Sequence, residues 1–287
     1  YKWVIISITI QTVILAYFNY IHLPRAKRVK TTIYEYEESS ISPWNLKVPK
    51  DAFLISASYN GRYVGYLKDG ELFVLDSANG RKKTVVGHDT GKLSCFKWLP
   101  DRNMLIYSLS LPQDGYWDIQ IATYDAESFE KRIYPEIKGL PEGSETDDIK
   151  LSILTNTVYV KVKTGSSYSR IYRFDIMDNC NLVLISDEEI SIEQTMHNDN
   201  LVYEKNGCIY ARDVNNSAEN QLEFNSIAVL LGIDSRDRIF VGEQDENGRV
   251  SRILYGKIDE EIKGTWKPIS LNEPLLREKI IITESGA

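Results

Sequence analysis

The 287-residue chain is long enough for one large domain or two ordinary ones, and its 43% hydrophobic and 26% charged residues are typical of a globular protein. The net charge of −7 is uneven, because residues 1–30 carry only basic charges, and the acidic remainder argues against the basic patch that nucleic-acid binding needs. Three irregularly spaced cysteines exclude a disulfide framework and a zinc motif, so we expect free thiols, with a Cys180–Cys208 bond as the alternative.

An uncharged apolar run extends from Trp3 to Leu23. At about 1.5 Å per residue, a helix of this length crosses the ~30 Å hydrocarbon core of a bilayer. Tyr17, Tyr20 and His22 lie near its end, where amphipathic rings favour the membrane interface. No small-residue cleavage site follows the run, so the sequence predicts an uncleaved membrane anchor over residues 1–30. The alternative is a buried core helix, which would normally show a polar face.

The sequence contains conflicting signals for the side of the membrane on which residues 31–287 lie. The basic cluster "RAKRVK" after the span would place the rest of the chain in the cytoplasm by the positive-inside rule. The chain starts at Tyr1 without a methionine, so the charges before the span are not fully counted. Because single N-terminal anchors commonly export a large domain, we expect residues 31–287 outside the cytoplasm, with the basic cluster as a signal against this side.

One pattern then returns at intervals of roughly 40 to 50 residues, the period of propeller blades. A strand-like run rich in Tyr, Ile, Val and Phe ends in an aspartate, and a turn-prone stretch follows it. The five runs are "ELFVLD", "WDIQIATYD", "SRIYRFD", "CIYARD" and "RILYGKID", which end at Asp76, Asp125, Asp175, Asp213 and Asp259. An aspartate in this position can accept a hydrogen bond from the backbone two residues on and so close the turn.

A second strand precedes each of these runs. The preceding strands are predicted at 61–67, 103–109, 156–162, 199–205 and 237–243, with a sixth copy, "EKIIITES", at 278–285. Between the paired strands, Asp69–Gly70 and Asn206–Gly207 are dipeptides typical of two-residue β-hairpins. Several strands in each repeat of this period indicate a β-propeller.

The two ends of the repeat region complement each other. The copy at 278–285 has no following strand that ends in Asp, whereas "TTIYEYEES" at 31–39 has Glu37 in the Asp position. We therefore predict an all-β domain over residues 31–287, a six-bladed β-propeller whose last blade is closed by the N-terminal strand and which one transmembrane helix precedes. An open sandwich or a truncated array is the alternative.

The stretch "SYNGRYVGYLKDGELFVLDSANG", residues 58–80, resembles the repeat of the TolB-like propellers: a small polar turn with Gly, a strand, a hairpin and a strand that ends in Asp. The stretch at 99–125 matches the same pattern, and two later repeats match it more loosely. The resemblance implies a fold but not a function, because the same repeat occurs in periplasmic binding scaffolds and in the propellers of prolyl-oligopeptidase-type peptidases.

Motifs that would carry chemistry are weak. No G-x-S-x-G motif is present, and the three histidines, His22, His88 and His197, lie in the anchor or in loops. The acids at 145–148 could serve a glycosidase, but we expect them in a connector, where acids are usually solvated. "DENG" at 245–248 lacks the ligand spacing of a calcium loop. We expect no catalytic residue, metal or cofactor, and the sequence favours a protein without enzymatic activity over an enzyme.

Surface loops are the remaining candidates for function. The longer hairpin tips, "LPQDGYWD" and "TGSSYSR", are expected on the propeller face that also carries the connections between blades. Tyr and Trp on exposed loops are typical of protein and glycan contacts. The predicted partner-binding residues are Gln113, Tyr116, Trp117, Ser167 and Tyr168. The alternative for Trp117 is packing against its own blade.

The sequence therefore predicts a membrane-anchored, non-catalytic β-propeller that binds a protein or a cell-envelope glycan outside the cytoplasm, and no nucleic acid. The alternatives are a propeller hydrolase or lyase that acts on glycan, and the propeller part of a larger peptidase.

Overall fold

The computed structural model describes residues 2–17, 47–213, 218–259 and 266–283, which belong to two units, Tyr1–Asn45 and Leu46–Ala287. In the first unit, helix α1 spans Lys2–Tyr17. None of the helices in the described ranges has the length and hydropathy of a membrane span, so the predicted transmembrane helix is not found among them. The end of the predicted span, 18–23, and the predicted strand 31–39 lie outside the described residues.

The described part of the second unit is almost entirely β, with strands that form five antiparallel sheets in chain order. The first sheet contains β1 (Phe53–Ala57), β2 (Tyr63–Lys68), β3 (Glu71–Asp76) and β4 (Lys82–Val86). The second contains β5 (Lys92–Trp98), β6 (Met104–Pro112), β7 (Trp117–Asp125) and β8 (Lys131–Ile133), and β9 (Ile137–Leu140) also pairs with β7.

The other three sheets have four strands each. The third contains β10 (Glu145–Ser152), β11 (Thr157–Lys163), β12 (Ser169–Phe174) and β13 (Cys180–Ser186). The fourth contains β14 (Ile190–Gln194), β15 (Asn200–Lys205), β16 (Cys208–Asp213) and β17 (Ala218–Leu222). The fifth contains β18 (Ala228–Ile233), β19 (Ile239–Gln244), β20 (Val250–Gly256) and β21 (Lys267–Leu275), and short 3-10 helices lie at His88–Thr90 and Arg277–Lys279.

The sheets are arranged as the blades of a propeller. The first strands of successive sheets, β1, β5, β10, β14 and β18, contact one another in chain order, so they are the innermost strands. Apolar clusters fill the spaces between neighbouring sheets. Leu105 and Tyr124 lie in the cluster between the first and second sheets, and Ile119 and Val160 lie in the cluster between the second and third.

The predicted strand pairs are the second and third strands of each sheet. Asp69 and Gly70 have φ values of 52° and 78°, and Asn206 and Gly207 have 53° and 70°, which is the left-handed pair that a type I′ hairpin requires. The sequence did not predict the first and fourth strands, several of which have polar or mixed patterns such as "KKTVV" in β4 and "ETDDIKLS" in β10.

Three of the five predicted aspartates, Asp76, Asp125 and Asp175, close turns after third strands, whereas β20 ends at Gly256, three residues before Asp259. In three sheets the carboxylate accepts a hydrogen bond from the backbone N–H two residues on. These bonds run from Ala78 to Asp76 (2.9 Å), from Glu127 to Asp125 (2.7 Å) and from Met177 to Asp175 (2.9 Å). The carboxylate therefore supplies the acceptor that the turn backbone would otherwise lack.

The first sheet is incompletely covered, and the segment after β21 covers part of the fifth sheet. Phe53, Leu54 and Ile55 of β1 are each more than half exposed, at 53%, 56% and 55%. At the other end, Ile280 and Ile282 pack against the fifth sheet, and Ile282 lies so close to Gly232 that a Cβ there would come within 3.1 Å. Apolar faces of this kind call for a further neighbour.

The predicted strand at 278–285 differs from the structure. A 3-10 helix occupies Arg277–Lys279, only Thr283 makes an isolated β-bridge, and residues 284–285 lie outside the described part. Ile282 of this segment contacts Gly232 of β18. The predicted second strand at 278–285 is therefore wrong for the described residues 278–282, which form no strand.

Carboxylates in the turns between first and second strands link neighbouring sheets. Asp199, before β15, accepts a hydrogen bond from Thr157 (2.9 Å) and two from the Arg173 guanidinium (2.9 and 2.6 Å), both in the third sheet. Asp237, before β19, accepts hydrogen bonds from the backbone N–H groups of Met196 (2.5 Å) and His197 (3.1 Å) in the fourth sheet. These bonds join the third sheet to the fourth and the fourth to the fifth.

The buried link can be tested with Asp199→Asn, which keeps a residue that tolerates the positive φ of 49° but removes the charge. The Arg173 side chain, 15% exposed, would then keep Asp175, at 3.5 Å, as its carboxylate partner but lose two short charged hydrogen bonds, so we expect the free energy of unfolding in urea to fall by about 2 kcal/mol.

Asp178→Asn is the matched control, because Asp178 also has a positive φ, of 61°, and also pairs with an arginine, Arg132. That pair is exposed, at 52% and 44%, so its loss should cost at most about 1 kcal/mol. Equal losses in the two variants would show that the buried link does not stabilise the sheets.

Candidate partner-binding face

One end of the sheet array carries the turns between second and third strands together with the connections from one sheet to the next. We call it the hairpin face, and its tips are residues 69–70, 112–117, 164–168, 206–207 and 245–249. The opposite end, the turn face, carries the turns between first and second strands and between third and fourth strands. All five predicted binding residues lie on the hairpin face.

The second sheet has the longest of the five described hairpins. Strands β6 and β7 have nine residues each and remain paired as far as Pro112 and Trp117, and Gln113 donates its N–H to the carbonyl of Tyr116 at 2.8 Å. The Tyr116 side chain is 43% exposed, and Gln113 is also exposed. Trp117 is half-buried, and its backbone pairs with Leu140 of β9. Its part in binding stays a prediction.

The third sheet presents a shorter tip. The N–H of Thr164 donates to the carbonyl of Tyr168 at 2.9 Å, which closes the loop between β11 and β12. Tyr168 is 57% exposed, and Ser167 is exposed beside it. Near the tip, the Lys161 ammonium pairs with the Asp147 carboxylate at 2.5 Å. Two neighbouring sheets therefore each present an exposed tyrosine on the same face.

The innermost strands contribute a second polar feature, a row of alternating charges between β5, β10 and β14. Lys97 pairs with Asp148 at 2.6 Å, Asp148 with Lys150 at 3.3 Å, and Lys150 with Glu193 at 2.7 Å. Because the first strands were not predicted, the contacts among these four residues could not be foreseen.

The row of charges is stabilised in its ionised form. Burial would raise the pKa of Asp148, but the ammonium groups of Lys150 and Lys97 outweigh it and hold the pKa below its ordinary value. Burial would likewise lower the pKa of Lys150, but Glu193 and Asp148 outweigh it and raise the pKa. A carboxylate whose pKa is lowered by folding stabilises the folded protein at pH values above its pKa in the unfolded chain. This stability is lost as the pH falls through its pKa in the folded protein. The row is therefore a structural contact between three sheets that is stable at neutral pH.

Other chemically reactive groups of the described residues have structural contacts. The acids at 145–148 begin β10 rather than lying in a connector, and Glu145 pairs with Lys92 at 3.0 Å. The ring Nδ1 of His197 lies 3.1 Å from Asp237. All three cysteines are free thiols, and burial raises the pKa of Cys95 and Cys180 to about 11, which weakens them as nucleophiles. Within the described ranges, no cluster of three potential metal ligands occurs.

Known structures share this arrangement of sheets. The dipeptidyl peptidase 4 of Porphyromonas gingivalis matches over 79% of this chain and 40% of its own, at 13% identity and a TM-score of 0.54. A prolyl endopeptidase structure matches over 77% of this chain and 35% of its own, at 17% identity and a TM-score of 0.55. TolB from Acinetobacter baumannii matches over 78% and 54%, at 14% identity and a TM-score of 0.43.

The sequence comparisons add no relative, since neither a protein-family model nor a curated protein sequence matches the chain. The chain spans well under half the length of the two peptidases that it resembles. At identities of 13% and 17% the likeness concerns the fold alone. The described part of the second unit therefore has a β-propeller fold, which these peptidase structures resemble.

Proposed function

We propose that the chain is a membrane-anchored, non-catalytic β-propeller that binds a protein or a cell-envelope glycan outside the cytoplasm through its hairpin face. The observation that carries the proposal is the pair of exposed rings, Tyr116 and Tyr168, on hairpin tips of neighbouring sheets. Tyrosine presents a large apolar area and a hydroxyl at a low cost in side-chain entropy, which suits it to contacts of this kind.

The proposed membrane anchor includes helix α1. Its sixteen residues reach about 24 Å at the rise of an α-helix, so residues 18–23 would have to extend it to cross a bilayer of ~30 Å. Trp3, Val13 and Leu15 are 83%, 63% and 68% exposed, which places a large apolar area in contact with the surroundings. A helix that is apolar on all sides needs a protein core or lipid around it.

The six-blade count is a further part of the proposal. The exposed apolar residues of β1 and the packing of Ile282 on Gly232 support a sixth blade between the fifth sheet and the first. The segment 31–39 would supply a strand of that blade, which would remove a free sheet edge.

The second candidate is the propeller part of a larger peptidase. The likeness to two peptidases favours it, but this likeness concerns the fold alone. Hydrolysis of proline-containing peptides by the full-length protein would support this candidate, and a full-length protein without such activity would exclude it. A glycan hydrolase or lyase remains an alternative without a specific observation in its favour.

The first prediction concerns the hairpin face. Replacing both Tyr116 and Tyr168 by Ala should reduce the amount of partner captured from membrane extracts at least about tenfold, because exposed aromatic anchors contribute most to such contacts. The control is Tyr59→Ala, since Tyr59 is 54% exposed but lies on the turn face. The melting temperature of all variants should stay unchanged. Equal capture by the double variant and the control would contradict the hairpin site.

The second prediction concerns the anchor. Deletion of residues 1–30 should move the protein from the carbonate-washed membrane fraction to the soluble fraction. A cysteine at the exposed Ser166 should react with an impermeant maleimide on intact cells, because it lies on the exported domain. Retention of the deleted form in membranes would contradict the anchor, and labelling only after lysis would contradict the proposed side.

The third prediction concerns closure of the ring. Tyr34→Pro would remove a backbone donor from the proposed closing strand, so the free energy of unfolding should fall by about 3 kcal/mol. Glu142→Pro is the control, because Glu142 follows Pro141 in a turn closed by the bond from Ser144 to Pro141, a position that favours proline. If both variants are equally stable in urea, residues 31–39 are not a strand of the ring.

A further inference from the structure

A cavity lies between the second and third sheets and opens on the turn face. Its volume is about 400 Å³, which is within the usual range of ligand sites, roughly 300–1,000 Å³. The hairpin face is at the opposite end of these sheets, so the cavity is separate from the proposed binding tips.

The cavity occurs where the exposed Arg132–Asp178 pair joins the two sheets but the turn before the second strand makes no link to the preceding sheet. Asn156 stands before β11 as Asp199 stands before β15, and the two share a left-handed backbone, with φ of 53° and 49°. Asp199 reaches back to the preceding sheet, whereas Asn156 is exposed and makes no hydrogen bond to the second sheet among the described contacts. The space that side chains occupy at the next interface is therefore open at this one.

The floor of the cavity is apolar and aromatic. Tyr134 of the second sheet and Phe174 of the third meet edge to face, with ring centroids 6.1 Å apart, and Ile106 and Leu151 lie beside them. The Arg132 guanidinium lies 5.1 Å from the centroid of the Tyr134 ring. Such a floor suits a bulky aliphatic or aromatic group.

The rim of the cavity is acidic. Arg102 and Arg132 are already paired, with Asp101 at 2.5 Å and Asp178 at 2.7 Å. Lys131 also lines the cavity, but its ammonium donates a hydrogen bond to the carbonyl of Val85 in the first sheet. Asp125 and Glu130 line it too, and no cation lies within salt-bridge distance of either among the described residues. The uncompensated charge at the opening is therefore negative, which favours a positively charged occupant.

The apolar area continues outside the opening. Leu154, Ile176 and Met177, on the turns around it, are 57%, 66% and 80% exposed. An apolar surface that extends from a cavity over neighbouring turns is larger than a small molecule would cover, and it suits a peptide that lies across the opening.

We propose that this cavity is a second docking site, which takes a basic peptide segment of a partner protein. A bulky apolar side chain of the peptide would fill the space above Tyr134 and Phe174, and a flanking Lys or Arg would contact Glu130 and Asp125. The exposed Arg132–Asp178 pair would open at little cost, because exposed ion pairs contribute little stability.

The site can be tested by fluorescence anisotropy with the full 287-residue chain in detergent and three labelled hexapeptides. The probes are Gly-Lys-Phe-Leu-Lys-Gly, Gly-Glu-Phe-Leu-Glu-Gly and Gly-Lys-Ser-Ser-Lys-Gly, each blocked at both ends. We expect the first to bind at least about tenfold more tightly than either of the others, because only it combines charge with an apolar body. Equal binding of the first and third probes, or tighter binding of the second, would overturn the proposal.

Two variants locate the binding. Glu130→Lys should weaken the first probe about fivefold or more, whereas Glu246→Lys, an equal charge change on an exposed hairpin tip, should not. Val158→Phe, which places a larger side chain on the cavity wall, should weaken the first probe without lowering the melting temperature. If Glu130→Lys and Glu246→Lys bind the first probe equally, the site is elsewhere. If Val158→Phe stays folded and binds like the unmodified chain, the cavity is not where the apolar side chain lies.

Discussion

Burial of every sheet on both faces is the constraint on which the rest of this structure depends. Strand β7 shows it, since Ile119 and Ile121 pack towards the third sheet while Ala122 and Tyr124 pack towards the first. A sheet with two apolar faces is stable only between two neighbours, because burial of apolar area is the main favourable term in folding. A ring of sheets satisfies this need for all members at once, which is why an exposed apolar strand such as β1 calls for a further neighbour.

The turn face and the hairpin face differ in their polar contacts. Carboxylates on the turn face close turns within a sheet, as Asp125 does, and link one sheet to the next, as Asp199 does. At the hairpin tips, the carbonyl of Gly207 accepts a hydrogen bond from the N–H of Ala228 in the fifth sheet at 3.3 Å, but no carboxylate of these tips links two sheets among the described contacts. The cavity lies next to Asn156, which makes no such link among the described contacts, although the exposed Arg132–Asp178 pair joins the same two sheets on the turn face.

The sequence predicted the parts of the fold whose signals are local. Alternating β-branched and aromatic residues, a terminal Asp and the Asp69–Gly70 hairpin identify the second and third strands, because each signal lies within a few residues. The first and fourth strands were not predicted. Charged residues such as Lys97 and Asp148 are typical of loops in the sequence, whereas in the structure they lie in strands and pair across sheets. For the same reason the cavity could not be foreseen, because its lining comes from two sheets. The exposure of Tyr116 and Tyr168 was predicted from hairpin length.

Amide hydrogen exchange of the full chain tests most directly whether every sheet of the ring is covered on both faces. If a further blade covers the first sheet, the amides of Ser56 and Ala57 in β1 will exchange as slowly as those of Ile149 and Lys150 in β10, which lies between two described sheets. The amides of Asp114 and Gly115 at an exposed tip provide the fast reference. Exchange of the β1 amides at the rate of these tip amides would contradict the closed ring.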